Sequence, residues 1–393
     1  MVGAARVAVV GGSLAGLTAA PLLRELGLDV TVYERSGAEL EQRGAGIGFL
    51  PAASRYLVER AGVDLDQISI STSHVRYLDR RGNVIHDQPQ PYRFTNWNTI
   101  YRSLLDCFGR ERYLLGRECV DIRQHDGGVL LTQADGAELE VDLLVCADGV
   151  NSRGRARLLP EARPQYAGYV AWRGLVPVSE LGERAATLHD AITYYVYANS
   201  HILVYPIPGI DGSVRAGDRL INFVWYRNYL AGNDLQDLMT DGEGALHDVS
   251  LPPGKPRPEH VAELRATATA RLPEPISDVV LAVTHPFVQV ILDLEVPRMA
   301  FGRVCLIGDA AFVVRPHAAA GTAKAAADGW RLAEALEEEP DVEAALRAWE
   351  PDQLELGRNL LQRTRSIGRR SQVDCNWTPG DPELIFGLYE PGR

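Results

Sequence analysis

An apolar run from Arg303 to Ile307 ends in Gly308-Asp309, so that a strand delivers a carboxylate and bare backbone to one point in space. A carboxylate so placed accepts from a ribose or ribityl hydroxyl. Beyond Pro316, the run Ala318-Ala319-Ala320-Gly321-Thr322-Ala323 opens a helix with almost no side-chain bulk. Its free N–H groups can approach a flat, electron-accepting ring that a larger side chain would hold away.

Three further clusters carry groups suited to a nucleotide. The loop Gly11-Gly12-Ser13-Leu14-Ala15-Gly16 follows the apolar strand Arg6 to Val10, with Ser13 where a dinucleotide loop usually has its second glycine. The serine costs room, but its hydroxyl can donate to a phosphate oxygen. Glu34 stands 18 residues after Gly16, at the end of the next strand, where an acid accepts from adenosine ribose hydroxyls. A free 2'-hydroxyl there suits FAD or NAD better than NADP. Asp148-Gly149-Val150-Asn151-Ser152-Arg153-Gly154-Arg155 follows a buried strand and gathers a carboxylate, a hydroxyl and two guanidinium groups. Arg43 and Arg102 are isolated arginines whose type alone would put them at the surface.

The elements that must position these groups form an α/β pattern. Residues 6–34 read as strand, glycine loop, helix to about Leu26 and strand from Asp29, with Gly27 as the helix stop and Pro21 expected to kink the helix. A helix from Tyr101 to Phe108, hairpins at Asp126-Gly127 and Asp135-Gly136, and the strand Leu143 to Ala147 follow. From Tyr166 to Pro286 aromatic and β-branched residues alternate, which predicts an antiparallel sheet. Helical patterns run on to about Gly368 after the 302–328 stretch. The expected division is a cofactor domain from 1–72, 98–165 and 286–345, a substrate domain from 73–97 and 166–285, and a C-terminal helix and tail at 346–393.

Composition removes several functions. A net charge of −12 disfavours nucleic acid and anionic membranes, both of which need a basic face. Five widely spaced cysteines without a CxxC pair indicate neither a disulfide framework nor a zinc site. No signal peptide or membrane-length apolar segment is evident, so a cytoplasmic protein is expected.

In their order and spacing these features resemble the single-component FAD-dependent aromatic hydroxylases, the para-hydroxybenzoate hydroxylase fold. The resemblance covers nearly the whole chain. Within that group GGSLAGL, the WYR at 225–227, DLEVPRMAFGRV and RPHAAAGTAKAA are most similar to its hydroxypyridine 3-hydroxylase branch. The resemblance implies a Rossmann-like FAD-binding domain with an inserted antiparallel substrate sheet and C-terminal helices. FAD would be held by Gly11, Ser13, Leu14, Gly16, Glu34, Arg35, Arg43, Arg102, Asp148, Gly308, Asp309, Gly321, Thr322 and Ala323. NAD(P)H would bind transiently over the same flavin, since no second glycine-rich βαβ loop is evident. The chain departs from many relatives at Phe312, where they have His, and at Ala319, where they have a second glycine.

The reaction so implied takes reducing equivalents from NAD(P)H, forms a hydroperoxide at flavin carbon 4a with O2, and hydroxylates an electron-rich phenol or hydroxypyridine. Deprotonating a substrate hydroxyl makes the ring a better nucleophile, and a histidine near neutral pH suits that task. His317, directly after Pro316, is the first candidate base; His201 and His285 are alternatives. Tyr195, Tyr205, Trp225, Tyr226 and Leu50 are candidate substrate walls, although alternation does not reveal which face of the sheet is the pocket. A tailoring hydroxylase or epoxidase of a larger polyketide or alkaloid scaffold is the nearest alternative, and a flavin-binding protein without turnover a further one. A flavin halogenase is disfavoured because no GWxWxIP string occurs. A homodimer is expected from the fold.

Overall fold

A computed structural model describes residues 5–40, 45–182 and 187–393. Arg43 lies outside the described residues. Short, mostly apolar runs build a six-stranded sheet in the order Ala300–Phe301, Val304–Leu306, Leu143–Cys146, Arg6–Val10, Asp29–Tyr33, Tyr113–Leu114. Five of these are parallel and only Ala300–Phe301 runs against its neighbour. Their continuous hydrophobicity follows from burial on both faces. The helix Leu14–Glu25 covers one face and packs on the helix Gly321–Glu338, close enough that a Cβ on Gly329 would sit 3.1 Å from the Ala19 backbone. Pro21 lies inside the first helix without ending it.

A second sheet has nine strands, in the order Ser250–Leu251, Phe287–Asp293, Gln165–Pro177, Leu220–Asn228, Ser200–Ile207, Ala191–Tyr197, Ile70–Leu78, Val84–Asn96, Gly46–Gly48. One face, with Trp172, Tyr195 and Trp225, packs on the helices Pro258–Arg271 and Glu274–Ala282. The other carries Tyr169, Tyr205 and Tyr226 and looks toward the first sheet. A three-stranded sheet, Cys119–His125, Gly128–Gln133 and Glu138–Val141, completes the β structure.

Several boundaries move. Phe287–Asp293, expected with the cofactor domain, instead pairs with Gln165–Pro177 across the substrate sheet. Gly46–Gly48 and Ile70–Thr72 also join that sheet, because each supplies backbone to Val84–Asn96. The helix expected from Tyr101 starts at Trp97, where Asn96 caps it by accepting the Thr99 N–H at 2.7 Å. The helix Val342–Gln372 runs 31 residues behind the 308–321 loop. Its glycines make room for that loop: a Cβ on Gly357 would lie 2.6 Å from the Phe312 ring. Among the described residues no helix is long and apolar enough to cross a membrane.

Candidate active site

The glycine loop is built for close backbone approach. Gly11 has φ +107°, and a Cβ there would lie 2.3 Å from the Ala147 carbonyl oxygen on the neighbouring strand end. A Cβ on Gly16 would lie 2.0 Å from the Gly11 carbonyl oxygen. Beside this loop a cavity of about 170 Å³ is lined by Gly11, Ser13, Glu34, Arg35, Asp148 and Arg153, among others. The Glu34 carboxylate is buried and held in place by accepting the Gly12 N–H at 2.9 Å and the Ser36 N–H at 2.8 Å. Asp148 Oδ2 accepts from the Arg153 and Gly154 amides at 2.8 and 3.2 Å, whereas its Oδ1 is buried without a partner. Asp148 lines the same cavity, and an orphaned carboxylate oxygen there is what a ligand hydroxyl or N–H would satisfy.

Ser13, Trp97, Ala147 and Gly149 also line a larger cavity of about 480 Å³, so the two form one continuous slot. Part of its lining comes from the turns and helix starts that follow the first sheet: Leu14, Asp309, Pro316, Ala319, Gly321 and Thr322. In the helix Gly321–Glu338 the first amide bonded back is Lys324, to Ala320 at 2.8 Å, which leaves the amides of 321–323 at the open helix end. Ala319 holds φ +54° just ahead of it. The missing second glycine is compensated across the slot: a Cβ on Gly48 would lie 2.5 Å from the Ala319 Cβ, so that only glycine fits opposite alanine.

Gly308 donates to Asp328 Oδ2 at 2.8 Å, and Lys324 Nζ pairs with the same carboxylate at 2.7 Å, fully buried, with the Phe312 ring 4.9 Å from the ammonium. This pair anchors the Gly308 turn. Asp309 lines the larger cavity; desolvation by the surrounding protein raises its carboxyl above the usual range, opposed by Lys324. Arg155 points away and ties carbonyls of Ala162, Ala310 and Val150. The slot thus fits FAD, with Glu34 and Asp148 at the nucleotide end and Asp309 and the 321–323 amides at the ring end. Ala323 contributes backbone alone, its side chain being wholly buried in the first core. Arg102 is half-buried on the Trp97–Phe108 helix and does not line either cavity.

The histidines do not face the slot. His317 lies behind Pro316, its Nε2 2.7 Å from the Tyr169 hydroxyl and its ring 4.7 Å from that of Tyr226. Burial pushes it well below 6.5, with His201 and Arg315 adding to the effect. The His201 ring packs against those of Tyr226 and Trp377 in tilted contacts at 4.5 and 4.7 Å, and burial pushes it down to about 3. Neither lines the cavity, so neither can take a proton directly from a ring bound there. His285 borders the turn at Gly254 and is likewise absent from the walls.

Of the expected substrate walls, Tyr205 and Tyr226 line the cavity, while Tyr195, Trp225 and Leu50 do not. The cause is the two-residue period of a strand: Trp225 pairs with Trp172 and Ile202 on the helix-covered face and donates to Ser200 Oγ at 3.0 Å. Tyr205 donates to the Gly46 carbonyl at 2.9 Å. The walls missed from sequence are Phe94, Trp97, Arg173, Phe287, Gln289 and Phe386. Arg173 in Val170-Ala171-Trp172-Arg173-Gly174-Leu175 and Gln289 between Val288 and Val290 were detectable as lone polar residues in apolar strands.

Comparison with known proteins agrees with this geometry. The FAD binding domain family matches residues 4–225 and 287–364, and a related FAD binding domain-like family matches 166–293. The chain is 40% identical over 385 residues to 2,6-dihydroxypyridine 3-monooxygenase of Paenarthrobacter nicotinovorans, covering 98% of this chain and 96% of that one. It is 28% identical to 6-hydroxynicotinate 3-monooxygenase of Pseudomonas fluorescens, covering 97% and 94%. The solved structure of 2,6-dihydroxypyridine-3-hydroxylase from Arthrobacter nicotinovorans superposes with a TM-score of 0.93 at 39% identity, covering 99% and 98%. Klebsiella pneumoniae HpxO, solved with FAD and uric acid, shares the fold at a TM-score of 0.76 and 24% identity, covering 97% and 90%. A glycine-lined slot for FAD, a tyrosine-walled cavity at its ring end and matches along almost the full length place the chain in the family of FAD-dependent aromatic monooxygenases.

Proposed function

We propose that this monooxygenase acts on a hydroxypyridine, with 2,6-dihydroxypyridine as the compound of first choice and position 3 as the site of hydroxylation. The observation that carries the choice is the 40% identity to a 2,6-dihydroxypyridine 3-monooxygenase over nearly the full length. The size of the cavity agrees: about 480 Å³ must hold the flavin ring system as well as the substrate, which suits one small ring better than a polycyclic scaffold.

Bound FAD supplies the transfer of reducing equivalents from NAD(P)H and the activation of O2. The chain's own groups do the rest. Glu34 and Asp148 would take the nucleotide-end hydroxyls, Asp309 the ribityl chain, and the amides of 321–323 the pyrimidine edge, fixing the ring against Pro316. Leu203, Val224, Tyr226 and Phe386 would hold the substrate over that ring and keep water out. A cytoplasmic homodimer is part of the same reading, checked by light scattering.

The test follows NADH and NADPH oxidation over a panel of hydroxypyridines, phenols and polycyclic substrates, with peroxide release measured alongside. Coupled turnover is expected with dihydroxypyridine. Coupled turnover with the polycyclic substrates alone would refute the reading.

A further inference from the structure

Among the described residues that line the larger cavity, Arg173 is the one cation and Asp309 the one carboxylate. Among the described residues Arg173 makes no ion pair; its guanidinium donates to neutral acceptors, Gln289 Oε1 at 3.1 Å and the Gly46 carbonyl at 2.7 Å. Its Nε is buried without a partner. A part-buried cation with no counter-charge is costly in an apolar wall, and an anionic ligand relieves that cost.

Gln289 completes the arrangement. Because a guanidinium can only donate, the bond from Arg173 fixes the amide oxygen toward the arginine and turns the amide N–H2 group away from it. The register sets the surroundings: Arg173 lies opposite Val224 and Phe287, and Gln289 opposite Ala171, which in turn faces Tyr226. One rim of an otherwise apolar and aromatic wall therefore offers a positive charge and an adjacent neutral donor. Tyr205 is near the same charge, since Arg173 opposes the upward push of burial on its hydroxyl.

We propose that Arg173, oriented by Gln289 and Gly46, is the receptor for an ionised ring oxygen, so that the enzyme selects the pyridinolate form of its substrate over the neutral form. The proposal rests on the hydroxypyridine reading above. It also accounts for a cavity without a histidine base: a ring that arrives with its oxygen deprotonated already carries raised electron density at the neighbouring carbon, where the hydroxyl is to be added. The proton is lost to solvent before binding, and Arg173 makes a charge-assisted contact with the oxygen left behind.

The test titrates the FAD-loaded enzyme with a hydroxypyridine, reading dissociation constants from the flavin absorbance change at pH values either side of the substrate's own pKa. Wild type should bind more tightly as the ligand ionises. Arg173→Gln, with FAD content unchanged, should weaken binding of the ionised form by about 10-fold or more and flatten the pH dependence. Arg173→Lys should restore part of both, and Gln289→Leu should weaken binding while keeping the pH dependence. Equal affinity and an equal pH profile in wild type and Arg173→Gln would overturn the proposal. If wild type binds no hydroxypyridine, the substrate reading fails, and the same titration with a nitrophenol tests the receptor by itself: tighter binding of the phenolate, lost in Arg173→Gln, supports it, and indifference to ionisation refutes it.

Discussion

His201 and His317 make a quantitative prediction about acid stability. Both are buried, their rings are 5.3 Å apart, and burial holds His201 down to about 3 and His317 well below its usual value. In the unfolded chain each returns to about 6.5. The folded protein thus binds fewer protons than the unfolded one below that value, so these residues contribute stability that is intact above pH 6.5 and is lost as pH falls toward their folded values. At pH 5.5, one unit below the unfolded pKa, keeping each histidine neutral costs on the order of 1 kcal/mol relative to pH 8, and the pair about twice that. This figure needs only that the folded pKa lie well under 5.5. The assay is urea unfolding of the FAD-saturated protein, followed by tryptophan fluorescence at pH 8.0 and 5.5, for wild type, His201→Gln, His317→Gln and the double variant. A substitution that simply costs stability does so at both pH values and cancels in the difference. Wild type should lose on the order of 1 kcal/mol more than either single variant on acidification, and about twice that margin more than the double variant. The same loss in all four proteins would show that the histidines are already charged in the fold and refute the reasoning.

Gly11→Ala should leave a protein purified without yellow colour, because the new Cβ collides with the Ala147 carbonyl at the edge of the FAD slot; a normal flavin spectrum would contradict this. Lys324→Met leaves the buried Asp328 carboxylate uncompensated and should cost about 3–5 kcal/mol in urea unfolding, with most of it recovered in Lys324→Met/Asp328→Leu. Trp225→Phe breaks the 3.0 Å bond to Ser200 on the helix-covered face and should cost about 1 kcal/mol while leaving KM unchanged; a raised KM would put Trp225 at the substrate.

The nucleotide end was legible because its requirements are local. Gly11, Glu34, Asp148 and Asp309 each follow a short apolar strand, and parallel strands bring their carboxyl ends to one edge whatever the rest of the chain does. The substrate end depends on relations the sequence does not carry. The aromatic alternation at 193–197 and 222–226 identifies a sheet but is symmetric between its faces, so Tyr195 and Trp225 were as plausible as Tyr205 and Tyr226 until helices 258–282 covered one side. His317 misled for a related reason. Its place next to Pro316 is fixed by the chain, whereas its direction is set by Tyr169 and by the space above Gly368, where a Cβ would lie 2.9 Å from His317 Nε2. Arg173 and Gln289 each stand out as a lone polar residue in an apolar strand, but their pairing depends on the register of Phe287–Asp293, a strand expected elsewhere.

The order of strands in the parallel sheet has a consequence for biosynthesis. Arg6–Val10 pairs with Leu143–Cys146, which pairs with Val304–Leu306 more than 150 residues later. A ribosome must therefore extrude most of the polypeptide before the glycine loop gains its full neighbourhood, and the early strands wait with an unpaired, largely apolar edge. Such a chain is expected to fold slowly, to benefit from chaperone capture during translation, and to gain yield when synthesis is slowed by cooling.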